Sequence, residues 1–346
     1  MARLLPILCV VTSLGVLSPL SVAQEGDASQ KRPAEVLFDA WRTQPSMVGA
    51  VYFSWQESRA VSPEIYESLP VEAMPDAQAK RFPGHRYDRM QHVPLAYFCA
   101  LDMVRELGVD MLDGMRITDS GFGSVENLHV LASAGADVVG IQTEGAMDGP
   151  VHARIELGQI PRAESVAEGD GGTLTIKTGT YPTSDEIIEL AGGQIDLFVS
   201  KNSLRRGYFP AIPDPTPCRY FRGSASIIIG DDPYKDLPLC VTEFVPKDAE
   251  YLQTVYDALA PGGLFLVYNL YIDRGDREEM WVRPDGVGEC QFDLEMVIRA
   301  GFEIISWNQD DSAHARTMQE ALREYETGCR PSEEYSAMAT ILRKPG

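Results

Sequence analysis

Residues 116–144, RITDSGFGSVENLHVLASAGADVVGIQTE, decide the fold of this chain. A short apolar segment, a glycine turn, a segment with helical spacing and a second apolar segment follow one another, which predicts strand, turn, helix and strand. Gly121 and Gly123 let the backbone approach a ligand closely, because no Cβ stands in the way. The N–H groups at the start of the next helix are available to polar ligand atoms. Such a half-unit is typical of nucleotide-binding α/β proteins.

Strands alternate with helices along most of the chain that follows. The predicted strands lie at 115–118, 137–141, 173–178, 195–199, 263–271, 302–307 and 336–342. The predicted helices lie at 93–107, 125–134, 184–190, 249–259, 292–300 and 313–326. This alternation predicts an α/β fold with a mainly parallel sheet and helices on both of its faces.

The first 23 residues have the pattern of an export signal. Arg3 precedes an apolar run, and the small residues Ser21-Val22-Ala23 precede an abruptly polar segment. We therefore expect residues 1–23 to be a signal peptide and the protein to be exported, to a periplasm or the extracellular space. An uncleaved membrane anchor is the alternative, although prolines interrupt a run barely long enough to span a bilayer. No later segment is apolar enough to span a membrane.

The rest of the chain divides into an extension and a main domain. Residues 24–92 contain too little apolar material for a core of their own, so they are predicted to form an N-terminal extension or cap. Residues 93–346 are predicted to form the main domain. Within it, residues 205–240 are an irregular, proline-rich insertion after the fourth predicted strand, which is typical of a lid or substrate loop.

Charge and cysteine content narrow the possible partners. The formal net charge of −21 disfavours nucleic acid and anionic membranes, because phosphate groups would be repelled. Five cysteines follow residue 23, so at least one is unpaired, and Cys218 with Cys240 is the first candidate pair for a disulfide. No cysteine or histidine spacing is typical of metal ligands, so no metal site is predicted.

Four motifs in order resemble those of class I S-adenosylmethionine-dependent methyltransferases. The first is Asp119 with the following Gly-Phe-Gly turn, and the second is the Asp-bearing strand at 193–202. The third is the Leu-Ala-Pro-Gly-Gly turn at 259–263, and the fourth is the Ala-Gly-Phe corner at 300–302. The resemblance covers residues 93–343. It implies a Rossmann-like sheet of seven strands, the last of them antiparallel, and S-adenosylmethionine as the methyl donor for a small-molecule acceptor.

The resemblance also implies a set of site residues. Those implied to cradle the methionine portion of the donor are Asp119, Gly121, Gly123 and Ser124. Gln142 or Glu144 is implied to reach its ribose, and Ser200 is implied to lie beside the donor. Those implied near the acceptor are Tyr87, Lys201 and Asn202, although Tyr87 also suits a surface loop and Asn202 a turn cap. No catalytic residue is assigned, because methyl transfer depends mainly on in-line positioning.

The chain departs from the family pattern at two positions that bear on donor binding. The family usually carries a carboxylate at the end of the second strand for the ribose hydroxyls, whereas this chain has Gln142 there and Glu144 two residues later. The family often shows Gly-Asp after the third strand, where this chain has Gly179-Thr180. An amide hydrogen-bonds a diol less strongly than a carboxylate does.

The sequence disfavours two other enzyme classes. A nicotinamide fingerprint is disfavoured because Glu126 stands at its third glycine position. A serine hydrolase is disfavoured because no Gly-x-Ser-x-Gly elbow occurs. The remaining alternative to an enzyme is an exported, non-catalytic binding protein that keeps the methyltransferase fold but has lost donor binding.

Overall fold

A computed structural model describes the central domain and part of the extension. The described residues are 36–37, 40, 50–81, 93–105, 107–108, 112–122, 125–142, 153–164, 166, 169–178, 182–201, 244–272, 290, 292, 294–322 and 335–346. Several predictions lie outside these residues: the signal peptide 1–23, the insertion 205–240, the Cys218–Cys240 pair, Tyr87, Gly123, Ser124, Glu144, Gly179-Thr180 and Asn202.

The described part of the chain contains strands and helices in alternation. The strands are β1 (Ala50–Ser54), β2 (Arg59–Val61), β3 (Gln78–Arg81), β4 (Arg116–Ser120), β5 (Asp137–Gln142), β6 (Arg154–Gln159), β7 (Thr173–Thr178), β8 (Ile195–Lys201), β9 (Leu259–Ile272), β10 (Glu303–Asp310) and β11 (Tyr335–Arg343). The helices are α1 (Pro63–Ser68), α2 (Val93–Arg105), α3 (Val125–Ser133), α4 (Ser184–Leu190), α5 (Phe244–Ala258), α6 (Leu294–Arg299) and α7 (Ser312–Leu322). None of these helices is long and apolar enough to cross a membrane.

All these strands form one sheet in the order β10-β11-β9-β8-β4-β5-β7-β6-β2-β1-β3. The five central strands, from β7 to β9, pair in parallel with their neighbours. β11 lies between β9 and β10 and runs antiparallel to both. The predicted count of seven strands is wrong, because the sheet has eleven. The predicted mainly parallel arrangement holds only for the centre, since the outer strands make the sheet mixed.

Four additional strands extend the sheet beyond β7. β6 pairs antiparallel with β7, and β2 of the N-terminal region pairs in parallel with β6. β1 then joins β2 and β3 in antiparallel pairs. A bidentate ion pair between Arg59 and Glu156, with N–O distances of 2.7 and 3.0 Å, joins β2 to β6. The described part of the extension, residues 50–81, therefore continues the edge of the sheet.

Helices cover both faces of the central sheet, as predicted. One core joins buried residues of α2, α3 and α7 to one face of the strands, and the other joins buried residues of α4, α5 and α6 to the opposite face. Alternation along β9 shows the division, because Leu264 and Leu266 belong to the first core while Phe265 and Val267 belong to the second.

The Pro-Gly-Gly segment differs from the predicted turn. It lies inside β9 as an irregularity, where three residues of β8 (Ile195 to Leu197) oppose six of β9 (Leu259 to Leu264). Gly262 has φ 80°, a value that favours glycine. Its N–H donates to the Lys344 carbonyl at 2.9 Å, and the Lys344 N–H donates to the Gly263 carbonyl at 2.9 Å. These bonds to the end of the chain make the segment part of the strand.

Candidate functional site

The candidate site lies where the order of the parallel strands reverses. The chain passes from β4 to β5 on one side of the sheet centre, while β8 lies on the other side of β4. Asp119 and Ser120 end β4, and Lys201 ends β8. In open α/β sheets, ligands bind in the crevice outside the carboxyl ends of the strands at such a point.

A glycine turn leaves β4 at this edge. Gly121 has φ 80°, in the left-handed region that side chains other than glycine rarely adopt. Its N–H donates to the carbonyl of Ile141 in β5 at 2.8 Å, so the turn is held against the neighbouring strand. The chain then enters α3, whose nine residues are all buried.

Phe122, the middle residue of the Gly-Phe-Gly pattern, holds the turn in place. Its side chain is buried and lies over Gly140 of β5. A Cβ on Gly140 would stand 2.9 Å from the Phe122 ring and would also collide with Leu128 of α3. A glycine in β5 is therefore required by the packing of the turn and of α3. The sequence motif gave Phe122 no role.

A buried ion pair lies beneath the turn. Asp119 is completely buried, and the Lys201 side chain is almost completely buried, with its Nζ 3.7 Å from Oδ2 of Asp119. The Lys201 Nζ also donates a short hydrogen bond to the carbonyl of Phe122. It lies 4.8 Å from the centre of the Tyr97 ring of α2, a cation–π contact. Two residues predicted for donor and acceptor are thus brought together, and Tyr97 joins them without any sequence pattern that indicates it.

Each charge of the pair limits the pKa shift that burial causes in the other. Burial raises the pKa of Asp119 to about 6, and the nearby Lys201 ammonium limits the rise. Burial lowers the pKa of Lys201, and the Asp119 carboxylate limits that shift. Since loss of either charge would leave the other uncompensated in a low-dielectric site, the pair acts as a unit.

The site retains polar atoms that can bind a ligand. Among the residues that the structure describes, neither oxygen of Asp119 accepts a hydrogen bond, and the Tyr97 hydroxyl has no hydrogen-bond partner. The 3.7 Å separation from Lys201 is an ion pair and exceeds hydrogen-bond length. Buried carboxylate oxygens without donors are costly. A ligand that donates hydrogen bonds would therefore gain affinity here.

The structure separates other predicted residues from this group. Ser200 is completely buried, but side chains alternate along β8, so it lies on the opposite face from Lys201. Gln142 ends β5 beside Thr178 of β7, one strand further from Lys201 than Asp119 is. The remaining predicted residues, Gly123, Ser124, Glu144, Tyr87 and Asn202, lie outside the described residues.

No protein-family model and no curated protein matches the sequence. Among solved structures, one match is phosphoethanolamine N-methyltransferase 2 of Haemonchus contortus, which was solved with S-adenosylhomocysteine. The two chains are 12% identical, the match covers 87% of this chain and 69% of that chain, and the TM-score is 0.34. Another match is magnesium protoporphyrin IX methyltransferase of Synechocystis, also solved with S-adenosylhomocysteine. The two chains are 12% identical, the match covers 74% of this chain and 84% of that chain, and the TM-score is 0.32.

One matching structure is named for a different reaction. It is a (4+2)-cyclase, with 15% identity, 71% of this chain, 81% of that chain and a TM-score of 0.32. At these identities and TM-scores, the similarities carry no argument about what this chain binds or does. The chain's own five central parallel strands, its antiparallel final strand and the glycine turn after β4 give it a class I methyltransferase-like fold.

Proposed function

We propose that this protein transfers a methyl group from S-adenosylmethionine to a small-molecule acceptor. One observation carries the proposal: a buried carboxylate with open lone pairs, Asp119, lies beside the Gly121 turn at the point where the strand order reverses. A ligand crevice at that point is the general expectation for this kind of sheet.

The residues present suit the donor chemically. Its ammonium group can donate to Asp119, whose oxygens lack donors among the described residues. Its carboxylate suits the N–H groups at the start of α3, which follows the turn. When bound, the donor supplies a methyl group activated by the sulfonium. The protein's part is to orient donor and acceptor in line and to exclude water.

Lys201 sets the charge of the crevice. Its ammonium compensates Asp119, so the site is close to neutral before a ligand enters. A sulfonium cation therefore approaches a site without net positive charge. The bond from Lys201 to the Phe122 carbonyl also holds the glycine turn against β8.

Calorimetry tests the proposal. The full chain is titrated with S-adenosylmethionine and S-adenosylhomocysteine, and we expect saturable binding of both. Gly123→Arg replaces the second glycine of the Gly-Phe-Gly motif with a bulky cation and should weaken binding at least about tenfold, equivalent to about 1.4 kcal/mol. Gly346→Arg is the matched control, since it adds the same side chain in open space, two residues after Lys344, which bonds to the amino end of β9, and it should leave binding unchanged.

The circular dichroism spectrum of both variants should equal that of the wild type. No heat from either ligand with the wild type would contradict donor binding, and equal affinity in Gly123→Arg would contradict the position of the site.

A second function is favoured by one specific observation. The Lys201 Nζ already lies at the carboxyl ends of β4 and β8, paired with Asp119 and bonded to the Phe122 carbonyl. A chain that uses this lysine as an internal substitute for a ligand cation would keep the fold without binding the donor. This is the non-catalytic binding protein, and the same calorimetry separates it from the enzyme.

For either function we propose that residues 1–23 direct export. The support is the charged start, apolar run and small-residue cleavage pattern of that segment. Fractionation of cells that express the full chain tests it, and a protein found only in the cytoplasm with residues 1–23 intact would contradict it.

A further inference from the structure

A second cluster of polar side chains lies outside the crevice, between α2, β9 and α7. Its members are Cys99 and Asp102 of α2, Tyr268 of β9, Asp311 immediately before α7, and His314 in the first turn of α7. Cys99 is completely buried, the side chains of Asp102 and Asp311 are 13% and 10% exposed, and that of His314 is 30% exposed. The cluster is therefore buried at one end and open to solvent at the other.

Distances within the cluster are short. His314 Nδ1 lies 3.2 Å from Asp311 Oδ2, and His314 Nε2 lies 3.3 Å from Asp102 Oδ2. One ligand atom each from Cys99, Asp311 and His314 can be chosen so that all three lie within 4.8 Å of one another. Two tetrahedral zinc ligands, each about 2.0–2.1 Å from the ion, lie about 3.4 Å apart. The His314–Asp311 spacing already matches this value.

We propose that Cys99, Asp311 and His314 bind a zinc ion. A thiolate, an imidazole and a carboxylate are all zinc ligands, and together they favour zinc over magnesium or calcium, which prefer oxygen ligands. His314 Nδ1 faces Asp311 and is the ligand nitrogen in this arrangement. A water molecule would complete the tetrahedral set, since the His314 side chain is 30% exposed.

The neighbouring side chains support the three ligands. Asp102 lies within hydrogen-bond distance of the other ring nitrogen of His314, which fixes the imidazole for coordination through Nδ1. The Tyr268 hydroxyl donates to Asp311 Oδ2 at 2.6 Å, so the carboxylate is also oriented from outside. Metal-binding histidines and carboxylates commonly have such outer partners.

A zinc ion here would join elements that are distant in the sequence. Cys99 lies on α2, ahead of the first central strand, while His314 lies on α7, near the end of the chain. α2 also carries Tyr97, whose ring contacts Lys201 in the crevice. The ion would therefore hold α2, and with it Tyr97, against the sheet, although the proposal does not depend on methyl transfer.

Metal analysis tests the proposal on the full chain. The protein is stripped with a chelator, dialysed against zinc and analysed for metal content, and cobalt is used as a spectroscopic substitute. We expect one zinc ion per chain, a higher melting temperature with zinc, and a sulfur-to-cobalt charge-transfer band. Cys99→Ala should abolish the band and the stoichiometric zinc, and His314→Gln should weaken zinc binding at least about tenfold.

Two further variants complete the design. Cys290→Ala is the matched control, because Cys290 is also a buried cysteine but lies in the other core, and it should bind zinc as the wild type does. Asp102→Asn should weaken zinc affinity by about 10–100-fold, the usual effect of an outer partner, while the cobalt–sulfur band persists.

Substoichiometric zinc in the wild type, or a cobalt complex without a sulfur band, would overturn the proposal. Equal zinc binding by wild type and His314→Gln would overturn it as well, and because His314 is partly exposed, that variant is expected to fold.

Discussion

The buried ion pair of the crevice allows a quantitative prediction for Lys201→Met. Methionine is uncharged and similar in length to lysine, so the change removes the ammonium but little volume. Two unit charges 3.7 Å apart interact by about 4 kcal/mol at an effective dielectric constant of about 20. Removal of one partner of a buried pair costs about 3–5 kcal/mol. We expect Lys201→Met to lower the free energy of unfolding by up to about this amount, with the loss growing as pH rises above about 6.

The loss should depend on pH in a defined direction. Without the ammonium, the pKa of Asp119 rises above its wild-type value of about 6, whereas it is near 3.8 in the unfolded chain. Folded Lys201→Met then binds a proton that the unfolded chain releases, so its stability is retained below about pH 4 and lost as pH rises through the folded pKa. The difference from wild type should be small in acid and should grow above pH 6 by at most about 1.4 kcal/mol per pH unit, to about 3 kcal/mol at pH 8.

Denaturant unfolding between pH 4 and pH 8 measures both effects. Arg116→Met is the matched control, because Arg116 and Asp196 form an ion pair of 3.5 Å between the same two strands, but with side chains 34% and 37% exposed. An exposed pair is worth less than about 1 kcal/mol. A Lys201→Met loss no larger than that of Arg116→Met, or one that does not change with pH, would refute the reasoning.

Two further predictions concern the glycine turn and α3. Gly140→Ala should lower the free energy of unfolding by about 1–3 kcal/mol, because its Cβ would stand 2.9 Å from the Phe122 ring and would also collide with Leu128. Urea denaturation measures this loss, and an unchanged midpoint would contradict the packing of Phe122 over Gly140. Burial lowers the pKa of His129 from 6.5 to about 4, so stability present above pH 6.5 should be lost as pH falls through 4. The loss reaches about 3 kcal/mol, at about 1.4 kcal/mol per pH unit; His129→Gln should lack this acid dependence, and equal slopes in both proteins would argue against it.

Several elements were predictable because their causes are local. β7 and α4 occupy the predicted ranges, since residues 173–178 alternate strictly and Thr183 caps α4 by accepting from the Glu186 N–H at 3.3 Å. β8 extends two residues beyond its predicted end. Ser200 and Lys201 continue the strand because they pair with Val267 and Tyr268 of β9, a partner that no local pattern reveals.

The edge of the sheet was not predictable in the same way. β6 was missed, and β1 to β3 were assigned to an extension without strands. Short strands at an edge owe their stability to the neighbour they pair with, and here β2 pairs with a strand nearly a hundred residues later in the chain. The seven-strand prediction failed for this reason.

The sequence by itself determined the alternation of strands and helices, the glycine turn after β4 and the acidic residue that precedes it, because periodicity and backbone freedom are properties of short segments. Only the tertiary structure decided that Lys201 neutralises Asp119, that Phe122 needs Gly140, and that Cys99 meets His314. These contacts join residues that are distant in the chain, and burial and pairing across the sheet create them.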